Sequence, residues 1–137
     1  MNVQLARTLL VIVVPSLVAV SVLTGCGSED TVVEITERDG QALFERRALG
    51  NQAGCVTCHS LAPDVVLVGP SLADVNASAR AAGAADTGVY VRQSIVEPLV
   101  YTVPGFETAR PMPVVFGELL DDEQIDAIVE YLLETAP

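Results

Sequence analysis

The 137-residue sequence contains no tryptophan and a single histidine. It also has no lysine, so all seven cations are arginines. Aromatic residues make up only 4% of it, while half of the chain is apolar. A core of ordinary density must therefore come from aliphatic side chains, or from a group that is not protein. Acids outnumber cations eighteen to seven, for a formal charge of −11. Such a chain repels a phosphate backbone, which excludes nucleic-acid binding. The apolar half excludes a wholly disordered chain. The length leaves room for one domain, since typical domains have roughly 100–200 residues.

The chain opens with a polar stretch carrying one cation, Arg7, and continues with an apolar run of 15 residues from Leu9 to Leu23. A spanning helix wants about 20 apolar residues, so this run is short for one. A cationic start, a run of this length and then small residues read as a signal peptide. Leu23-Thr24-Gly25-Cys26 resembles the bacterial lipobox, in which lipid is attached to the cysteine and cleavage falls just before it. The alternative is an uncleaved N-terminal anchor with Cys26 idle, and either reading places the remainder outside the cytoplasmic membrane. The expected organisation is a lipoprotein signal peptide over 1–25, an acidic tether over 26–36 and a folded domain over 37–137. Residues 1–25 hold one arginine and no acid, so the mature chain is more acidic still. Two acyl chains would anchor it firmly, at about 0.8 kcal/mol per buried methylene.

Strand signals are poor in the folded part. Val65-Val66-Leu67-Val68 is short and bounded by Pro63-Asp64 and Gly69-Pro70, which reads as loop. Four helices are expected. The first spans about Asp39 to Leu49, capped by Thr36 or Asp39, with Gly40, Phe44 and Ala48 on one face. The second follows Ser71 and carries Leu72, Val75 and Ala79. The third starts near Asp86 and stops at Pro98, burying Val91 and Ile95, with Leu99 next on that face. The last has Asp121 as N-cap, Gln124 three residues on, and the stripe Ile125, Ile128, Val129, Leu132 and Leu133. Four short helices with long loops make a weak core, and something else is needed in the middle.

Cys55-Val56-Thr57-Cys58-His59 has the C-x-x-C-H spacing of c-type haem attachment. Two thiols add across the two vinyl groups of one haem, and two intervening residues set that separation. The adjacent histidine is then directed at the iron. A thioredoxin-like dithiol would want a βαβ setting, which this chain lacks. A structural zinc site would want four ligands, and no second Cys or His pair exists. A disulfide would leave His59 unexplained. With Cys26 given to lipid and Cys55 and Cys58 to thioethers, none of the three cysteines is left over. The sixth iron ligand follows by elimination: His59 is the only histidine, there is no lysine, and past the signal peptide Met112 is the only methionine. Pro111 and Pro113 flank it and stiffen the loop presenting its sulfur.

These residues together resemble a class I, mitochondrial-type monohaem cytochrome c, here in a membrane-anchored bacterial lipoprotein form. The likeness runs over about residues 37–136: Asp39 to Phe44 before the C-x-x-C-H motif, Gly69-Pro70-Ser71-Leu72, then Ser94 to Pro98, Pro104-Gly105-Phe106, Met112-Pro113 and Leu119 to Leu133. The resemblance implies an all-α cytochrome c fold, about four short helices with long loops wrapped around one covalently bound haem c. It implies that the Pro70 carbonyl accepts a hydrogen bond from His59 Nδ1, orienting the imidazole. It also implies that the last helix crosses the first, bringing Gly40 and Phe44 to Tyr131 or a neighbour. Tyr101, Arg92 and Arg110 are candidates by position for the haem propionates. Many relatives ring the exposed haem edge with lysines; this chain has none, so an acidic or largely apolar docking face is expected.

With both axial sites filled by protein, the iron has no open place for a substrate, and Met/His ligation raises its potential. The expected function is one-electron transfer, with no small-molecule substrate, from a lipid anchor on the periplasmic side of a membrane. The partners are redox proteins or the subunits of a quinol-oxidising or oxidase complex. The alternative is a haem peroxidase or gas-binding protein whose Met112 dissociates.

Overall fold

A computed structural model describes residues 37–135. The expectations that fall on residues 1–36, namely the signal peptide, Cys26, the acidic tether and Thr36 as a cap, lie outside the described residues.

The described chain is mostly helical. Six helical segments run in order: α1 (Gly40–Glu45), α2 (Cys55–Cys58), α3 (Val75–Ala81), α4 (Thr87–Val96), α5 (Phe116–Leu119) and α6 (Asp122–Thr135). Aspartates start four of them. Asp39, Asp74 and Asp86 accept from the backbone N–H three residues on, at 2.9, 2.6 and 2.8 Å. Asp121 forms a reciprocal box, its Oδ1 accepting from Gln124 N at 2.9 Å while Gln124 Oε1 accepts from Asp121 N at 3.0 Å. Each cap satisfies a donor that the helix itself cannot. Gln124 is buried because its amide also donates to the Glu37 carbonyl at 2.8 Å, tying the domain's entry to α6.

Helices α1 and α6 cross at Gly40. A Cβ there would lie 2.0 Å from the Ala127 carbonyl oxygen, so no other residue lets the two backbones approach this closely. One turn on, the rings of Phe44 and Tyr131 meet with centroids 5.7 Å apart. Leu43, Phe44, Ile125, Ile128 and Leu132 are buried around this crossing, each worth roughly 1.5–3 kcal/mol in apolar transfer. Helix α4 packs on α6 and on α3, burying Val91 and Ile95. Arg92 adds ion pairs to Asp122 and Asp126 on α6.

Three helical expectations need correction. Helix α1 ends at Glu45, and a two-residue turn at Gly50-Asn51 joins strands β1 (Ala48–Leu49) and β2 (Gln52–Ala53) in an antiparallel hairpin. Gly50 has φ +58°, the left-handed conformation such turns demand. Ala48 is consequently exposed and Leu49 takes the core position. The second helix starts at Val75 under the Asp74 cap, while Ser71 Oγ donates to the Ala62 carbonyl and accepts from Ala73 N in the preceding turn. Leu99 lies beyond the end of α4 and is 64% exposed.

Candidate functional site

The hairpin sets the site. Gly54 N donates to the Arg47 carbonyl at 2.9 Å, and a Cβ on Gly54 would sit 1.9 Å from the Arg46 carbonyl oxygen. This contact, open only to glycine, turns the chain directly into α2. Cys55 and Cys58 are the ends of that single helical turn, so their sulfurs share one side of it. The Thr57 hydroxyl braces the turn by donating back to the Gly54 carbonyl at 2.6 Å. His59 then leaves the helix in an extended conformation, its N–H still donating to the Cys55 carbonyl at 2.9 Å.

The His59 ring is fixed from two sides. Nδ1 lies 2.9 Å from the Pro70 carbonyl oxygen. That oxygen can only accept, so Nδ1 carries the proton and Nε2 keeps the lone pair. Gly69 lies against the ring, where a Cβ would be 2.5 Å from Cε1 and 2.9 Å from Nδ1. The segment bearing both is itself pinned, Gly69 N donating to the Cys58 carbonyl at 2.9 Å and Leu72 N to the Ser60 carbonyl at 2.8 Å. Burial lowers the pKa of His59 below its ordinary value, with the Pro70 bond opposing, so the ring stays neutral as a metal ligand must. Burial also pushes the Cys55 thiol up to about 11. A catalytic dithiol works by lowering that value, so the environment argues against thioredoxin-like chemistry.

These groups face a cavity of about 850 Å³, large enough for a sizeable ligand on the usual scale of roughly 300–1,000 Å³. Cys55, Cys58, His59, Pro70, Tyr101, Arg110 and Met112 all line it. Met112 comes from the long segment between α4 and α5, where Pro111 and Pro113 line the cavity beside it. Arg92 does not reach the cavity; its guanidinium is engaged by Asp122 and Asp126 on α6. The wall also includes Val75, Tyr90, Phe106, Phe116, Ile128 and Leu132, whose place around a cavity no local pattern in the sequence shows. Tyr90 stacks edge-on to Tyr101 with centroids 6.1 Å apart, and burial raises its pKa. The stripe of α6 foretold Ile128 and Leu132 as core; nothing in it told that their far side meets a cavity.

The family model for Cytochrome c matches residues 38–136. The chain belongs to the cytochrome c family. Comparisons with curated proteins and with solved structures found no match. Cytochrome c domains carry covalently bound haem c and are typically electron carriers, not enzymes. The residues present fit such a group: a largely apolar cavity, two cysteines on one side of a helical turn, an imidazole whose second nitrogen is already committed, and a thioether in the wall. The mostly helical fold with little strand, and the Gly40 and Phe44 crossing of α6, agree with the same family.

Proposed function

We propose that this cytochrome c is a one-electron carrier with a single haem, held by thioethers from Cys55 and Cys58 and by His59 and Met112 as axial ligands. When bound, the haem supplies a one-electron iron couple. His59 offers the Nε2 lone pair, while its Nδ1–H, held by the Pro70 carbonyl, makes the ring more basic and fixes its plane. Met112 offers a soft thioether, which favours the reduced metal. Tyr101 and Arg110, both in the cavity wall, would offer donors to the propionates. The apolar lining excludes water, which keeps reorganisation small. The observation that carries the reading is the convergence of Cys55, Cys58, His59 and Met112 on one cavity from two separate stretches of chain.

The carrier works from the periplasmic side of a membrane, tethered by lipid on Cys26 after removal of residues 1–25. It exchanges electrons with redox proteins of a respiratory or photosynthetic chain, including a quinol-oxidising module or an oxidase. The lipobox-like Leu23-Thr24-Gly25-Cys26 and the short segment between Cys26 and the domain support this placement. Redox titration with optical spectra, on the parent, Met112→Ala and Met112→His, tests the ligand set. The parent should be low-spin, and Met112→Ala should bind carbon monoxide with a substantially lower potential. Met112→His should be low-spin with a lowered potential too. An unchanged potential and spectrum in Met112→Ala would remove Met112 from the iron.

A further inference from the structure

The rim of the cavity is apolar in two places where nothing covers it. The first is Val65-Val66-Leu67-Val68, four consecutive aliphatic residues that are 44–60% exposed. Their loop is ordered by its backbone and not by their side chains. Ala62 N donates to Ser60 Oγ at 2.9 Å, Ser71 Oγ donates to the Ala62 carbonyl at 2.8 Å, and Asp64 takes a left-handed turn at φ 61°. A loop so pinned presents the four side chains in a fixed array and leaves little ordering to be done on contact. The second place is Leu99 and Val100, 64% and 62% exposed, joined by Val114 at 54%. These three line a shallow hollow with Val96 and Glu97. Val68 and Leu99 both also line the large cavity while staying exposed, so each apolar stretch reaches its rim.

The charges at this border are mostly of one sign. Asp64 precedes the first stretch, Glu97 lines the hollow, and Glu107 lines the cavity; against them stands Arg110 alone. Among the described residues none of these four makes an ion pair, whereas the pairs of Arg38 and Arg92 all go to acids at the start of α6 or just before it. Exposed apolar residues gathered around an opening mark a contact surface. Interfaces of this kind keep an apolar centre and steer through a charged rim.

We infer that the two aliphatic stretches form the docking face of this electron carrier, and that they receive a redox protein whose own contact face is apolar at the centre and cationic at its rim. The inference rests on the carrier reading above. An apolar seal at the opening brings the partner against the cavity with no intervening water, and the absence of lysine keeps the rim from repelling a cationic partner.

The test uses full-length, haem-loaded protein and membranes of the source cells as the electron-exchanging probe. Second-order rates are measured for the parent, for Val66→Ser with Leu67→Ser, and for Leu99→Ser with Val100→Ser. Each pair should slow exchange with the membranes by about tenfold, the effect of removing two apolar contacts. Spectrum, potential and reduction by ascorbate should match the parent. The parent rate should fall as ionic strength rises, as expected for opposite charges. Unchanged membrane rates in both pairs, or a rate that rises with salt, would overturn the inference. So would variants that keep the rate but lose self-association or contact with phosphatidylcholine vesicles, which would assign the surface to a second copy or to lipid. A parent that exchanges no electrons with membranes or small reagents refutes the carrier reading instead, and so is distinguishable from failure of the docking face.

Discussion

Substituting Gly69 by alanine should change the redox potential without touching an iron ligand. The new Cβ would lie 2.5 Å from His59 Cε1 and 2.9 Å from Nδ1. Carbon atoms in contact prefer about 3.5 Å, so about 1 Å must be found. The loop cannot readily withdraw, since Gly69 N is bonded to the Cys58 carbonyl at 2.9 Å. The ring therefore moves, and the 2.9 Å bond from Nδ1 to the Pro70 carbonyl stretches beyond hydrogen-bond length. A neutral hydrogen bond contributes about 1 kcal/mol, which for a one-electron couple is about 40 mV if the loss falls on one oxidation state. The sign is fixed by basicity. The bond makes the imidazole a better donor and favours ferric iron, so losing it should raise the potential by up to about 40 mV. Spectroelectrochemical titration of parent and variant reads the shift, and paramagnetic NMR of the His59 ring reads its displacement. A potential and ring resonances identical to the parent would show that the glycine does not position the ligand.

Three further outcomes follow from other parts of the molecule. Cys55→Ala together with Cys58→Ala should release colour from the polypeptide on acid–acetone extraction, whereas the parent retains it. Gly40→Ala pushes a Cβ to within 2.0 Å of the Ala127 carbonyl oxygen; overpacking of this kind costs about 1–3 kcal/mol, so the melting temperature should drop by roughly 10 °C. The Asp121 carboxyl is held below its ordinary value of 3.8 chiefly by the Gln124 N–H, and also by Arg38. A depressed folded-state pKa contributes stability above the ordinary value that is lost as pH falls through the folded one. Urea unfolding should therefore show the parent losing more stability than Asp121→Asn between about pH 6 and pH 3, and parallel losses would exclude the effect.

Much of the helical frame was legible because it depends on neighbours in sequence. Asp39, Asp86 and Asp121 announce their helices by capping chemistry, and the stripe from Ile125 to Leu132 announces the buried face of α6. The hairpin at Ala48 to Ala53 was missed although Gly50-Asn51 carries a turn signal, because strands of two residues show no alternation to read. Leu99 was placed on a buried face by extending helical periodicity past Pro98, where the helix had already ended. At the site, the residue types and spacing of Cys55, Cys58 and His59 were readable from chemistry alone. The close approaches at Gly54 and Gly69 were not, since they bring together carbonyls and rings that only the folded backbone positions.

The hydrogen bonding of the segment that bears Met112 has a consequence for where the folded chain opens first. Between Pro98 and Val114 the backbone pairs run from Val100 to Glu97, Phe106 to Val103 and Ala109 to Phe106, so this stretch bonds only to itself or to the residue just before it. The opposite wall is braced differently: α1 is locked onto α6, and the two cysteines are held by a hairpin and a carbonyl contact. Segments with few bonds to the rest open at lower free energy than those with many. The wall that carries Met112 should thus exchange its amide hydrogens with solvent faster than the wall that carries Cys55, Cys58 and His59.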